Sequence, residues 1–138
     1  MHHLAIMKQS WHLTRAVVEG RKVIESRWLK TRMLPWDAVH PGDLIFFKEG
    51  SFVQARAVVR GVIQLADLSP ITIRHVLLRF KNELGISDAN GFSKQLSEAK
   101  YAVLIWLRDV KKVRPFRVRS PRLRGGWVSM QDIAKIRA

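Results

Sequence analysis

The 138-residue chain predicts a single α+β domain in which strands dominate and curl into a small, strongly curved sheet. Residues 44–48 and 101–107 are short apolar runs, the pattern of buried strands rather than of long helices. Val53, Ala55, Ala57 and Val59 alternate with polar or bulkier neighbours, and small alanines inside a strand fit tight curvature. Only one segment has a sustained helical period: Ile73, Val76, Leu77, Phe80 and Leu84. The length suits one core and is too short for two ordinary ones, and 47% hydrophobic residues can build it without disulfides or metals.

In chain order, residues 3–7 read as a short buried strand. Ser10 is placed to cap a helix whose stripe is Trp11, Leu13, Val17 and Val18, and Gly20 stops it. Residues 22–28 follow as a strand, with Ile24 on one face and Glu25 and Arg27 on the other. Lys22, on a regular strand, points away from that pair; a bulge, or a strand start after Lys22, is needed to bring the three together. Pro41-Gly42-Asp43 turns the chain into the 44–48 strand, and residues 49–51 connect it to a long return strand with a bulge at Gly61. Ser69-Pro70 opens the second helix and Gly85 closes it. Residues 92–99 read as a short helix. Pro115 and Pro121 cut the basic segments at 110–113 and 116–119 into short or edge strands. Ser129 is read as the cap of a last helix over 130–137.

Charge is the strongest compositional fact. Twenty-five Lys and Arg against eleven Asp and Glu give +14, an excess that favours polyanions. Residues 108–138 hold ten basic residues and two acids, so more than half of the net charge lies in the last quarter. Cysteine is absent, which removes disulfide frameworks, zinc-thiolate sites and cysteine nucleophiles, and suits a reducing, cytoplasmic setting. No apolar run is long enough to span a bilayer, and the apolar part of residues 1–8 is too short for a secretory signal. The five histidines show no paired ligand spacing, so neither metal nor cofactor is expected.

Two groups of residues carry chemistry. Lys22, Glu25 and Arg27 put three ionisable side chains within six positions, as either an ion-paired structural knot or the floor of a binding cleft. Arg117, Arg119, Arg122 and Arg124 alternate on either side of a turn, as either a cationic stripe for a nucleic-acid backbone or a solvated edge strand. Trp36 and Trp127 fall outside the apolar periodicity, as stacking platforms for bases or as loop anchors, whereas Trp11 and Trp106 read as core.

The order of these elements, with Gly20-x-Lys22-x-x-Glu25-x-Arg27, the Gly42-Asp43 turn into an apolar strand and the late 101–107 strand, resembles the ASCH domain of the PUA-like superfamily. The resemblance covers nearly the whole chain. It implies a small, strongly curved PUA-like β-barrel with short helices at its ends, and RNA or nucleotide binding in a cleft beside the barrel, with Lys22, Glu25 and Arg27 in that cleft. One branch of the family hydrolyses the acetyl amide of N4-acetylcytidine. It shares the Arg21-Lys22 pair, but places a threonine where this chain has Glu25 and uses a later glutamate; Glu83 and Glu98 lie downstream here. A nuclease activity is also proposed within the family. The expected function is therefore RNA binding, single-stranded or structured, with DNA as a second partner and no membrane. The alternative is an amidohydrolase or nuclease acting on a modified nucleoside or RNA, with Lys22 and Glu25 as its catalytic candidates.

Overall fold

The computed structural model describes residues 1–8, 13–119 and 126–138. The predicted cap at Ser10 and the core role of Trp11 fall outside them. The described elements are β1 (His2–Met7), α1 (Leu13–Val18), β2 (Ile24–Leu29), β3 (Leu44–Glu49), β4 (Phe52–Leu65), α2 (Pro70–Arg79), α3 (Lys81–Leu84), α4 (Ala89–Gln95), β5 (Tyr101–Phe116), β6 (Trp127–Met130) and a 3-10 turn (Ile133–Lys135). The strands form one six-stranded sheet in the order β2-β5-β4-β3-β1-β6. Every pairing is antiparallel except the parallel β1–β3 pair.

The sheet curls because one of its faces closes around a common core. Ala5 and Met7 of β1, Leu29 of β2, Ile45 and Phe47 of β3, Ala55, Ala57 and Val59 of β4, Val103 and Ile105 of β5 and Trp127 of β6 all meet there. The two alanines let the long strands bend over it. On the other face, α2, α3 and α4 cover Ile24, Ala102 and Leu104 with Ile73, Leu77 and Leu84. A third cluster packs the C-terminal Ile133 on Leu4, Phe46 and Val53. The result is the curled half-barrel with flanking helices that the α+β reading anticipates.

Local rules hold at most boundaries. Ser69 caps α2 in a reciprocal box with Thr72, and Pro70 occupies the first turn. Gly50 takes a positive φ of 62° in the β3–β4 turn, and the β4–β5 register shifts between Val59 and Gly61.

Four expectations are corrected. β5 runs unbroken through Pro115, because the register steps from Ala55↔Lys112 to Val53↔Phe116 and excludes residues 113–115 from the pairing. The expected helix at 92–99 begins earlier, at Ala89, since Asp88 caps it by accepting from the Gly91 N–H. The second helix divides at Phe80 into α2 and α3 before Gly85 ends it. Residues 127–130 are a strand paired with β1, and only a 3-10 turn follows, so the helix expected over 130–137 does not form.

Candidate functional site

Strand β2 is one edge of the sheet, and β1 lies near the other, so curling brings them face to face across an open seam. Arg27 crosses it. Its guanidinium donates to the Gly126 and Ile6 carbonyls at 3.2 Å each and lies 3.6 Å from the Met7 sulfur. Beside this stitch is a cleft of about 380 Å³, at the small end of ligand-binding cavities. β2 and the end of β1 form one side; Leu84, Ile86, Phe92 and Leu96 form the other.

Lys22, Glu25 and Arg27 all line this cleft. The strand starts at Ile24, after Lys22, so the strict alternation that would turn Lys22 away does not apply. Within β2, Glu25 and Arg27 sit opposite Ile105 and Val103 on the face of the barrel interior, while Ile24 and Trp28 face the helices. Glu25 and Arg27 also form the expected ion pair, Oε1 to Nε at 3.3 Å. Knot and cleft floor are the same residues.

The cleft is electrostatically unusual. Lys22 and Glu25 are only 2% and 3% exposed. The Lys22 ammonium donates to the carbonyls of Ile24 at 2.6 Å and Leu84 at 3.0 Å. Burial, the largest influence, pushes its pKa below the usual lysine value; Glu25 opposes that shift and Arg27 reinforces it. Glu25 Oε2 has no hydrogen-bond partner among the described residues. That oxygen is itself closed off from solvent, an uncompensated acceptor within the wall of the cleft. Two of the three hydrogen-bonding positions of Lys22 Nζ are used, which leaves one. The cleft is thus lined by a carboxylate, a lysine and an arginine among mostly apolar walls.

Several residues in or beside the cleft were not assigned to a site from sequence. Gly85 reads there only as a helix stop, yet its φ of 71° and missing side chain let Lys22 pass: a Cβ would sit 3.1 Å from Lys22 Cβ. Phe92 and Trp28 supply the aromatic lining. Their signal, an aromatic on a short amphipathic helix and another on a charged strand, is too common to point to a site.

Trp127 needs correction. It is 2% exposed, and its ring lies inside the barrel, 5.2 Å beneath the Arg27 guanidinium, with its indole N–H 3.3 Å from Ser129 Oγ and from His3 Nδ1. Pairing of β6 with β1 turns it into the core, so it backs the cleft cation and offers no face to a base. Trp36 is half-buried, edge-on to Tyr101 at 5.2 Å and under Arg32, and is outside the cleft lining. Arg117 and Arg119 are exposed beyond β5, on a segment bridged to the chain end through Val118 and Arg137. Arg122 and Arg124 lie outside the described residues. Among the described residues, no group of three or more acidic or histidine side chains is placed to hold a metal, and no helix is long and apolar enough to cross a membrane.

No family model matches the chain, and no curated protein matches it by sequence. Its fold does match solved structures. ASCH from Zymomonas mobilis superposes with a TM-score of 0.69 over 99% of this chain and 96% of that one, at 15% identity. A single-substitution variant of the same protein gives the same score over 97% of this chain and 93% of that one, also at 15% identity. The hypothetical protein PH0355 superposes with a TM-score of 0.53 at 17% identity, over 82% of this chain and all of that one. The chain has the ASCH, PUA-like fold.

Proposed function

We propose that this chain, built on the ASCH fold, is a nucleic-acid-binding domain that takes one base of a single-stranded RNA into the seam cleft. The observation that carries the reading is the Lys22–Glu25–Arg27 group, with Lys22 and Glu25 buried, lining a cleft whose other walls are mostly apolar. Base edges present N–H donors and carbonyl acceptors within one plane, and unstacked bases pack against aromatic and apolar walls. The +14 charge supplies the sequence-independent attraction to phosphates, and the exposed Arg117 and Arg119 are part of that charge.

Fluorescence anisotropy with a mixed-sequence single-stranded RNA and a DNA duplex, each at two salt concentrations, tests this. The expected result is salt-sensitive binding that favours the RNA and weakens roughly tenfold or more in Glu25→Gln, the order of one good polar base contact. Equal affinity of Glu25→Gln and the parent for the RNA would remove the cleft from the interface.

A second reading has its own support. With its burial-lowered pKa, Lys22 has access to a neutral amine whose two N–H groups are spent on the Ile24 and Leu84 carbonyls, leaving a lone pair for base or nucleophile chemistry on a modified nucleoside. Turnover of an acetylated nucleoside that disappears in Lys22→Met, with folding intact, is the outcome this reading requires.

A further inference from the structure

The antiparallel pair of β4 and β5 carries a charge arrangement that the cleft does not explain. The sheet register sets Arg56 of β4 directly opposite Lys111 of β5, and the next pair places Arg108 opposite Val58. Residues paired in this way project to one face with Cβ atoms about 5 Å apart, and like charges at that spacing destabilise a sheet. Arg56 alternates with Ala55 and Ala57, which are buried inside the barrel, so Arg56 and Lys111 stand on its outer face.

Among the described residues, no carboxylate neutralises them. Among the described residues neither Arg56 nor Lys111 has a salt bridge, and the exposed Lys112 and Arg114 just beyond have none either. The one carboxylate on this stretch of β5, Asp109, is engaged by Arg108. A sheet arranged for its own stability would set an acid or a neutral residue across from Arg56. An unneutralised, cross-strand cationic pair is instead relieved by an anion from outside.

We propose that the outer face of this ribbon, with Arg56 and Lys111 at its centre, binds the phosphodiester backbone of the same single strand whose base enters the cleft. The proposal rests on the nucleic-acid reading above and extends it to a second contact surface. In the cleft, Arg27 pairs with Val103 of β5, and Lys111 lies eight residues further along that strand. At about 3.3 Å per residue the separation is up to about 26 Å. A dinucleotide in the cleft is shorter than that path along the strand, whereas a 16-mer spans it.

The test uses Arg56→Glu in the full chain, because that change moves stability and binding in opposite directions. The new carboxylate faces Lys111, so the melting temperature should hold or rise. Affinity for a labelled 16-mer oligouridylate at low salt should fall at least tenfold. The slope of log K against log salt should flatten by about 1.4, two phosphate contacts at roughly 0.7 each for a single strand. Binding of the dinucleotide UpU, followed by calorimetry, should match the parent. Lys111→Glu, at an exposed position, should repeat the pattern, and Arg74→Glu on α2 is the charge-matched control. If Arg56→Glu and Lys111→Glu lose no more 16-mer affinity than Arg74→Glu, the ribbon is not a contact surface and the cleft reading stands alone. A parent chain that binds no 16-mer at low salt would sink both.

Discussion

At the scale of single residues, Lys22 sets the character of the site. Its folded pKa lies below the unfolded value, so between the two the unfolded chain holds the extra proton and stability rises with pH. The parent should therefore gain stability relative to Lys22→Met as pH climbs toward 10, in paired thermal melts across that range. A flat difference would mean that Lys22 is already free of its burial penalty. Gly85→Ala tests how the lysine is positioned. It forces a left-handed φ on a residue with a Cβ and crowds Lys22, so it should cost about 1–2 kcal/mol and weaken ligand binding as well. The motif spacing singled out Lys22, Glu25 and Arg27 together, and all three line one cleft. It could not show that Lys22 hydrogen-bonds carbonyls from two different elements, because Leu84 is distant in sequence.

At the scale of elements, a buried polar network fixes the ends of three segments. His3 of β1 is fully buried, with Nε2 2.8 Å from Asp43 Oδ2 and Nδ1 2.8 Å from Ser129 Oγ of β6, and Asp43 also accepts from the His40 N–H at 3.0 Å. Burial drives the His3 pKa down against the pull of Asp43. Burial also works to raise Asp43, but the hydrogen bonds from His3 and His40 and the nearby positive charges outweigh it and hold the carboxyl below its ordinary value. Both groups thus bind protons less readily folded than unfolded. Stability is lost as pH falls below 6.5 toward the folded pKa of His3, and again as it falls below 3.8 toward that of Asp43. Asp43→Asn should cost about 1–3 kcal/mol at neutral pH and remove the lower of the two acid windows, read from melts at stepped pH. The Gly42-Asp43 turn was legible as a turn. Its histidine partner was not, since forty positions separate them. Pro115 misleads for a related reason: a proline argues against a strand interior only where the ladder needs its N–H, and a bulge removes that need.

At the scale of the whole molecule, a charge of +14 on 138 residues repels itself, and among the described residues no acid pairs with Arg56 or Lys111. Added salt should therefore raise the melting temperature while it weakens RNA binding, two trends of opposite sign measured on one protein. If salt lowered both, the surface charge would be contributing to the fold through ion pairs.

The alternation of Val53, Ala55, Ala57 and Val59, the Ser69-Pro70 cap and the apolar run at 101–107 are local patterns, and each was sufficient by itself to place its element. Net charge and the absence of cysteine are likewise properties of composition. What needed the tertiary structure were the things made by chain closure. Curling of the sheet brings β2 to the end of β1, turns Trp127 inward under Arg27, opens the cleft at the seam and sets Arg56 across from Lys111. Local sequence governs the dihedral preferences and faces of a segment, whereas which segments then face one another depends on how all of them share a single core.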